Sequence, residues 1–255
     1  MSTAELISLE RDDDGIAVLA MKDEQRRNAL GAEFVEQLTD KLHELSADRA
    51  AKVAVICGLD EQFCAGGDKQ MLLDLASGKV TATDIMLSRA MIEVPIPTIA
   101  AMAGHAVGGG LALGLCCDVV LMGRESSYGC SFMNMGFTPG MGTTKLLQLA
   151  MGEYIAAEMM FGGQFFRGAH FESRSLVNYV LPRDKVVPKA MKIAARFAEK
   201  PRPSLELLKR NLSLGKRHLF EQARTDESFM HEISFSFDET KALIEAHYHK
   251  ADDED

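Results

Sequence analysis

The sequence predicts an α/β protein with a largely parallel sheet, and three observations carry that expectation. β-Branched and aliphatic runs recur along the first half of the chain, helical spacing fills the intervals, and the central runs are continuously apolar. Runs at 5–10 and 15–22 come first, followed by 52–58, 97–102 and 117–122. A strand covered on both faces needs apolar side chains at every position, which places the later runs in the middle of a covered sheet. Phe34, Leu38, Leu42 and Leu45 fall at spacings of four, four and three, predicting an amphipathic helix over 32–46 with one buried stripe. Strand, helix and strand in that order imply parallel strands joined by crossovers.

After residue 198 the pattern changes to helices only. Lys200-Pro201-Arg202-Pro203-Ser204 interrupts the preceding helix with two prolines, and Ser204 is placed to cap the next one. Residues 1–198 are therefore read as a core domain and 199–255 as a C-terminal helical region. The latter is too short to bury a core alone, so it is expected to pack on the first domain or on a neighbouring subunit. Asp252-Asp253-Glu254-Asp255 reads as a frayed acidic tail. The sequence shows no internal repeat and no low-complexity tract.

Composition narrows the function classes. With 255 residues, 47% of them hydrophobic, the chain can bury one large core. No apolar run approaches the roughly eighteen residues of a membrane span, so no membrane partner is expected. The opening MSTAELISLERDDDG lacks a basic stretch leading into an apolar core, so no signal peptide is expected and the chain is read as cytoplasmic. Cys57, Cys64, Cys116, Cys117 and Cys130 show no metal-ligand spacing and read as reduced thiols; neither a metal nor a cofactor is called for. A net charge of −9 without basic-aromatic interleaving argues against nucleic acid. Fifteen methionines and no tryptophan describe a deformable core.

The chemistry is concentrated in two glycine segments. Phe63-Cys64-Ala65-Gly66-Gly67-Asp68 follows the run at 52–58, and Gly104-His105-Ala106-Val107-Gly108-Gly109-Gly110-Leu111-Ala112-Leu113 follows the run at 97–102 and opens a helix. Small residues in succession let the backbone turn sharply and leave N–H groups uncovered, a setting for developing negative charge. Either segment alone could be just a tight connection. Together with Arg27-Asn28-Ala29-Leu30 upstream and Gly136-Phe137-Thr138-Pro139-Gly140-Met141-Gly142 downstream, their order and spacing resemble the crotonase (enoyl-CoA hydratase/isomerase) superfamily across nearly the whole chain. The resemblance implies ββα units in a spiral, a C-terminal helical region, and a homotrimer or hexamer. It also implies an oxyanion hole built from the backbone N–H groups of Gly67 and Gly109, in a pocket that includes Ala65, Gly66 and Gly108.

The departures from that family are informative. Hydratases carry two glutamates that handle water, and the matching positions here are Ala112 and Phe132, neither of which exchanges a proton. Within the superfamily, Gly129-Cys130-Ser131-Phe132-Met133-Asn134-Met135, Ile99-Ala100-Ala101-Met102 and Phe229-Met230-His231-Glu232 resemble the decarboxylating enzymes of polyketide β-branching. That resemblance implies a 3-methylglutaconyl thioester on an acyl carrier protein as substrate and its 3-methylcrotonyl counterpart as product. It assigns carboxylate-orienting or proton-donating roles to His231 and Lys79. An enoyl thioester isomerase, a hydratase and a non-catalytic binding module of the same fold remain as alternatives.

Other polar residues read as structural. Asp68 is placed to cap the following helix, Asp118 to serve as a hydrogen-bonded acid at the head of a strand, and His105 to support its loop. Lys69 is expected to face solvent. Arg26, Arg27, Lys209, Arg210, Lys216 and Arg217 could meet phosphates or an acidic carrier-protein helix, and solvated helix faces explain them equally well.

Overall fold

The computed structural model describes residues 4–80, 86–174 and 177–253, with side chains of the last helix described as far as Tyr248. In chain order the strands are β1 (Ile7–Arg11), β2 (Ile16–Met21), β3 (Val53–Cys57), β4 (Gln62–Cys64), β5 (Thr98–Met102), β6 (His105–Val107), β7 (Val119–Gly123), β8 (Ser127–Gly129), β9 (Phe165–Arg167) and β10 (Tyr179–Leu181). The helices are α1 (Ala32–Ala47), α2 (Lys69–Ala76), α3 (Leu87–Glu93), α4 (Gly109–Leu115), α5 (Thr143–Met151), α6 (Glu153–Gly162), α7 (Gly168–Phe171), α8 (Arg183–Ala198), α9 (Arg202–Leu212), α10 (Leu214–Ser234) and α11 (Asp238–Asp253). A 3-10 helix spans Phe132–Met135.

The larger sheet has the order β1-β2-β3-β5-β7-β10, antiparallel only between β1 and β2. Each apolar run of the sequence forms one of its strands. Val53 and Val55 on β3 and Ile99 and Ala101 on β5 face α8, which presents Val186, Ala190, Ala194 and Ala198 at four-residue spacing. Ala54, Ile56, Ala100 and Met102 point the other way, into the main core with the Phe34, Leu38, Leu42 and Leu45 stripe of α1. The continuous apolar pattern thus serves two cores, one on each face of the sheet.

The smaller sheet, in the order β4-β6-β8-β9, was not legible in the sequence. Its three-residue strands are too short for a periodic signal. With it, β3-β4-α2 and β5-β6-α4 form successive ββα units, and β7-β8 followed by the 3-10 helix and α5 forms a third. Each unit places a long strand in one sheet and a short strand in the other, which matches the architecture implied by the resemblance.

The C-terminal helices pack back on this frame. α10 lies against α5 and α3, and α11 against α2 and the 3-10 helix. Ser204 does not cap α9: Pro201 occupies the N-cap, and Pro203 sits in the first turn, where a missing N–H has no intrahelical partner to lose. The acidic end is helical as far as Asp253, while Glu254 and Asp255 lie outside the described residues. α9 and the start of α10 leave Leu207, Leu208, Leu212 and Leu214 exposed. Among the described residues no helix is long and apolar enough to cross a membrane.

Two of the lysines considered for phosphate binding are committed to partners within the fold, Lys209 buried and Lys216 half-buried. The Lys209 ammonium reaches both carboxylate oxygens of Asp118, at 2.8 and 2.6 Å, and the residue is 3% exposed. Asp118 also accepts from the backbone N–H and hydroxyl of Thr98, so it is the hydrogen-bonded acid expected from the sequence. Lys216 donates to the carbonyls of Leu115, Cys116 and Cys117, closing the end of α4. Asp118→Ala would strand the Lys209 charge. We expect a loss of about 3–5 kcal/mol, read as a lower urea midpoint at unchanged slope.

Candidate active site

Parallel pairing of β4 with β6 sets the two glycine turns side by side, and together they line a cavity of about 640 Å³. Ala65, Gly66 and Gly67 come from the first turn and Gly108 and Gly109 from the second. The Arg27–Leu30 segment holds the first turn. Asn28, fully buried, donates to the Phe63 carbonyl at 3.0 Å and accepts from the Asp23 N–H at 2.8 Å. Ala65 N–H donates to the Arg27 carbonyl, and Leu30 N–H to the Gly66 carbonyl at 2.7 Å. In a trans peptide the C=O and N–H point in opposite directions, so the bond from Leu30 turns the Gly67 N–H away from the Leu30 backbone. Gly66 has φ +87°, and a Cβ there would stand 2.7 Å from the Val107 carbonyl oxygen of the second turn. Gly109 is the first residue of α4, so its N–H has no carbonyl one turn earlier within the helix.

The third wall comes from the 3-10 helix and the turn after it, gripped by α10. Glu227, His231 and Ser234 share one buried face of α10. The Glu227 carboxylate accepts from the N–H groups of Gly142 at 2.6 Å and Thr144 at 2.8 Å and from the Thr144 hydroxyl at 2.7 Å. Burial pushes its carboxyl above the usual range, opposed by those hydrogen bonds. His231 Nε2 lies 2.7 Å from the Thr138 carbonyl oxygen, and Ser234 Oγ accepts from the Thr138 N–H at 3.4 Å. A carbonyl only accepts, so Nε2 carries the proton; in the neutral ring Nδ1 is then the basic nitrogen. That Nδ1 is buried and has no hydrogen-bond partner in the structure. Burial holds the His231 pKa below the ordinary histidine value, against the opposing Thr138 and Pro139 carbonyls.

His231 lines the same cavity as the glycine turns, so the structure brings Gly67, Gly109 and His231 together. Phe132 is also on the wall, stacked edge-on to Phe137 at 5.8 Å and placed where a Cβ on Gly108 would touch its ring. Ala112 is not on the wall. It is fully buried one turn into α4, and its methyl is too short to reach the cavity from there. Lys79 is not brought to the site: its ammonium pairs with Asp74 at 3.0 Å and its side chain is 69% exposed. Lys69, expected to face solvent, is half-buried and lines the cavity, as do Arg26 and Arg27.

Asp68 caps α2, accepting from the Gln70 and Met71 N–H groups, and is the only carboxylate on the cavity wall among the described residues. His105 accepts from the Ser127 N–H at 2.8 Å, supporting its loop. Burial pushes the thiols of Cys64 and Cys116 up to about 12 and about 11, which removes them as nucleophiles.

Sequence reasoning missed Glu227, His247 and Tyr248. Tyr248 and His247 of α11 line the cavity, and the Tyr248 hydroxyl donates to the Gly67 carbonyl. For Glu227 a signal existed, since an acid four residues before His231 on one helix face must share its surroundings. For α11, nothing in its own residues tells which part of the core it covers.

Comparisons with known proteins agree with this fold. The enoyl-CoA hydratase/isomerase family profile matches residues 11–253. The bacillaene synthase decarboxylase PksI of Bacillus subtilis is 36% identical over 247 residues, which cover 97% of this chain and 98% of that protein. A solved structure from a dehydratase/decarboxylase enzyme couple involved in polyketide β-branching superposes with a TM-score of 0.90 at 34% identity, covering 94% of this chain and 98% of the other. The ECH2 decarboxylase domain of CurF from Lyngbya majuscula gives a TM-score of 0.88 at 31% identity, covering 96% and 100%. Fold, paired glycine turns and sequence similarity over nearly the full length lead to one assignment: the chain belongs to the enoyl-CoA hydratase/isomerase family.

Proposed function

We propose that this chain decarboxylates a 3-methylglutaconyl thioester carried on the phosphopantetheine of an acyl carrier protein, leaving a 3-methylcrotonyl thioester in polyketide β-branch formation. The observation that carries the proposal is the cavity wall. It joins two glycine turns to His231 and His247, with Asp68 as its only carboxylate among the described residues and that side chain occupied in capping α2. Hydration as the family's hydratases perform it uses carboxylates to handle water, and among the described residues no free carboxylate stands on the wall. Loss of CO₂ needs only a sink for the electron pair of the breaking C–C bond. That pair passes through the double bond to the thioester oxygen, which becomes a dienolate oxyanion facing the Gly67 and Gly109 N–H donors. Phe132, Phe137, Met135 and Met141 line the site with apolar surface, where such donors act more strongly than in water.

His231 then delivers a proton to the terminal carbon. The substrate carboxylate, entering beside it, favours the imidazolium, so His231 takes up a proton as substrate binds. A second cation orients the carboxylate. Lys79 would have to leave Asp74, an exposed pair worth at most about 1 kcal/mol, whereas Lys69 already lines the wall. Lys69→Ala and Lys79→Ala separate the two: the variant that removes the orienting charge is expected to slow CO₂ release by about tenfold or more, the other to leave it unchanged. Residues 199–255 form the lid and trimerisation region in this reading, supported by the exposed Leu207, Leu208, Leu212 and Leu214.

Incubation with the carrier-bound substrate, followed by mass measurement of the acyl-pantetheine, tests the proposal. A product lighter by one CO₂ supports it. Unchanged mass at saturating enzyme refutes it in favour of a binding module, and double-bond migration at constant mass refutes it in favour of an isomerase.

A further inference from the structure

We propose that Tyr248 is a positioning residue for the oxyanion pair: its hydroxyl clamps the Gly67 carbonyl and so fixes the direction of the Gly67 N–H. The inference rests on the oxyanion role given to Gly67 above, and only on that part of the reading.

A glycine has the widest backbone freedom of any residue, so an N–H donor placed on one holds its direction only if both flanking peptides are fixed. Leu30 N–H fixes the peptide on one side through the Gly66 carbonyl at 2.7 Å. Tyr248 fixes the peptide on the other side through the Gly67 carbonyl. The hydroxyl is itself held in place, because α11 is fastened at successive turns along one face. Thr240 Oγ1 donates to the Ser234 carbonyl at 2.8 Å, and Ile244 is fully buried among Leu72, Met135 and Phe137. Tyr248 follows at the same four-residue spacing. The helix therefore spans from the end of α10, which carries His231, to the first glycine turn. Burial and the nearby Asp68 charge push the Tyr248 phenol above its usual value, so it stays a donor at working pH.

Tyr248→Phe keeps the ring and removes only the donor. The probe is 3-methylcrotonyl-pantetheine labelled with carbon-13 at the thioester carbonyl, which lacks a carboxylate to lose. In the unaltered protein, infrared spectroscopy should show its carbonyl band displaced to lower frequency by the oxyanion donors. The variant is expected to lose part of that displacement, to bind the probe within about twofold of the original affinity, and to show kcat for CO₂ release lowered by about tenfold while the melting temperature falls by no more than a few degrees. An unmoved band overturns the clamp, as does a loss confined to KM, which would mean that the phenol meets substrate directly. If the unaltered protein releases no CO₂, the decarboxylation reading fails, yet the comparison of carbonyl bands still decides the clamp.

Discussion

His231→Ala is expected to lower kcat for CO₂ release by about 10²–10⁴-fold, the range contributed by a well-placed proton donor. The ring lines the cavity, its Nε2 is committed to the Thr138 carbonyl, and its Nδ1 is buried without a hydrogen-bond partner. His231→Gln keeps a donor for that carbonyl while removing the titrating group, so it should lose nearly as much activity and retain more stability. Recovery of the rate in the glutamine variant would show that His231 only supports the 138–144 turn.

The same assignment fixes the sign of the pH dependence. Burial depresses the pKa of the free protein, so kcat/KM should already be falling above a point below the ordinary histidine value of about 6.5. A bound carboxylate raises the pKa, so kcat should stay level to higher pH before it falls. The two profiles should collapse onto a pH-independent residual rate in the alanine variant. Identical breakpoints for kcat and kcat/KM would remove the coupling between proton uptake and substrate binding.

Gly109→Ala is expected to lower kcat by about 10²–10³-fold, the cost of disabling one oxyanion donor. A Cβ at this position would stand 2.6 Å from Met141 Sδ and 2.9 Å from Leu30 Cδ1. Both are ends of flexible side chains, so the protein can still fold by moving them. Met141 and Leu30 also line the cavity, and their displacement spoils the place where the thioester oxygen must lie. Gly66→Ala provides the contrast. Its φ of +87° and the 2.7 Å approach to a backbone oxygen admit no such adjustment, so it should lower the melting temperature as well as the rate. Equal kcat in Gly109→Ala and the parent, measured with folded protein, would take Gly109 out of the site.

The sequence by itself determined the long strands, α1 and the two glycine turns. These features are local or periodic: a strand covered on both faces is apolar throughout, a core-facing helix repeats its stripe, and a sharp turn needs small residues wherever it occurs. That Ala112 and Phe132 exchange no proton was legible for the same reason, because an apolar side chain transfers none in any environment, whereas only the structure showed that Phe132 stands on the cavity wall and Ala112 does not. The tertiary structure alone decided which side chains share the cavity. Lys79 pairs with a near neighbour in sequence, Lys69 lines the wall, and Lys209 and Lys216 satisfy groups about a hundred residues away. Long flexible side chains take their place from partners brought by distant strands and helices, and their own local sequence does not encode those partners. The three-residue strands β4, β6 and β8 belong with them, since pairing between distant segments creates them and sets the two turns side by side. Tyr248 was hidden for the same reason: its function lies in a hydrogen bond to Gly67, closed across most of the chain by the packing of α11.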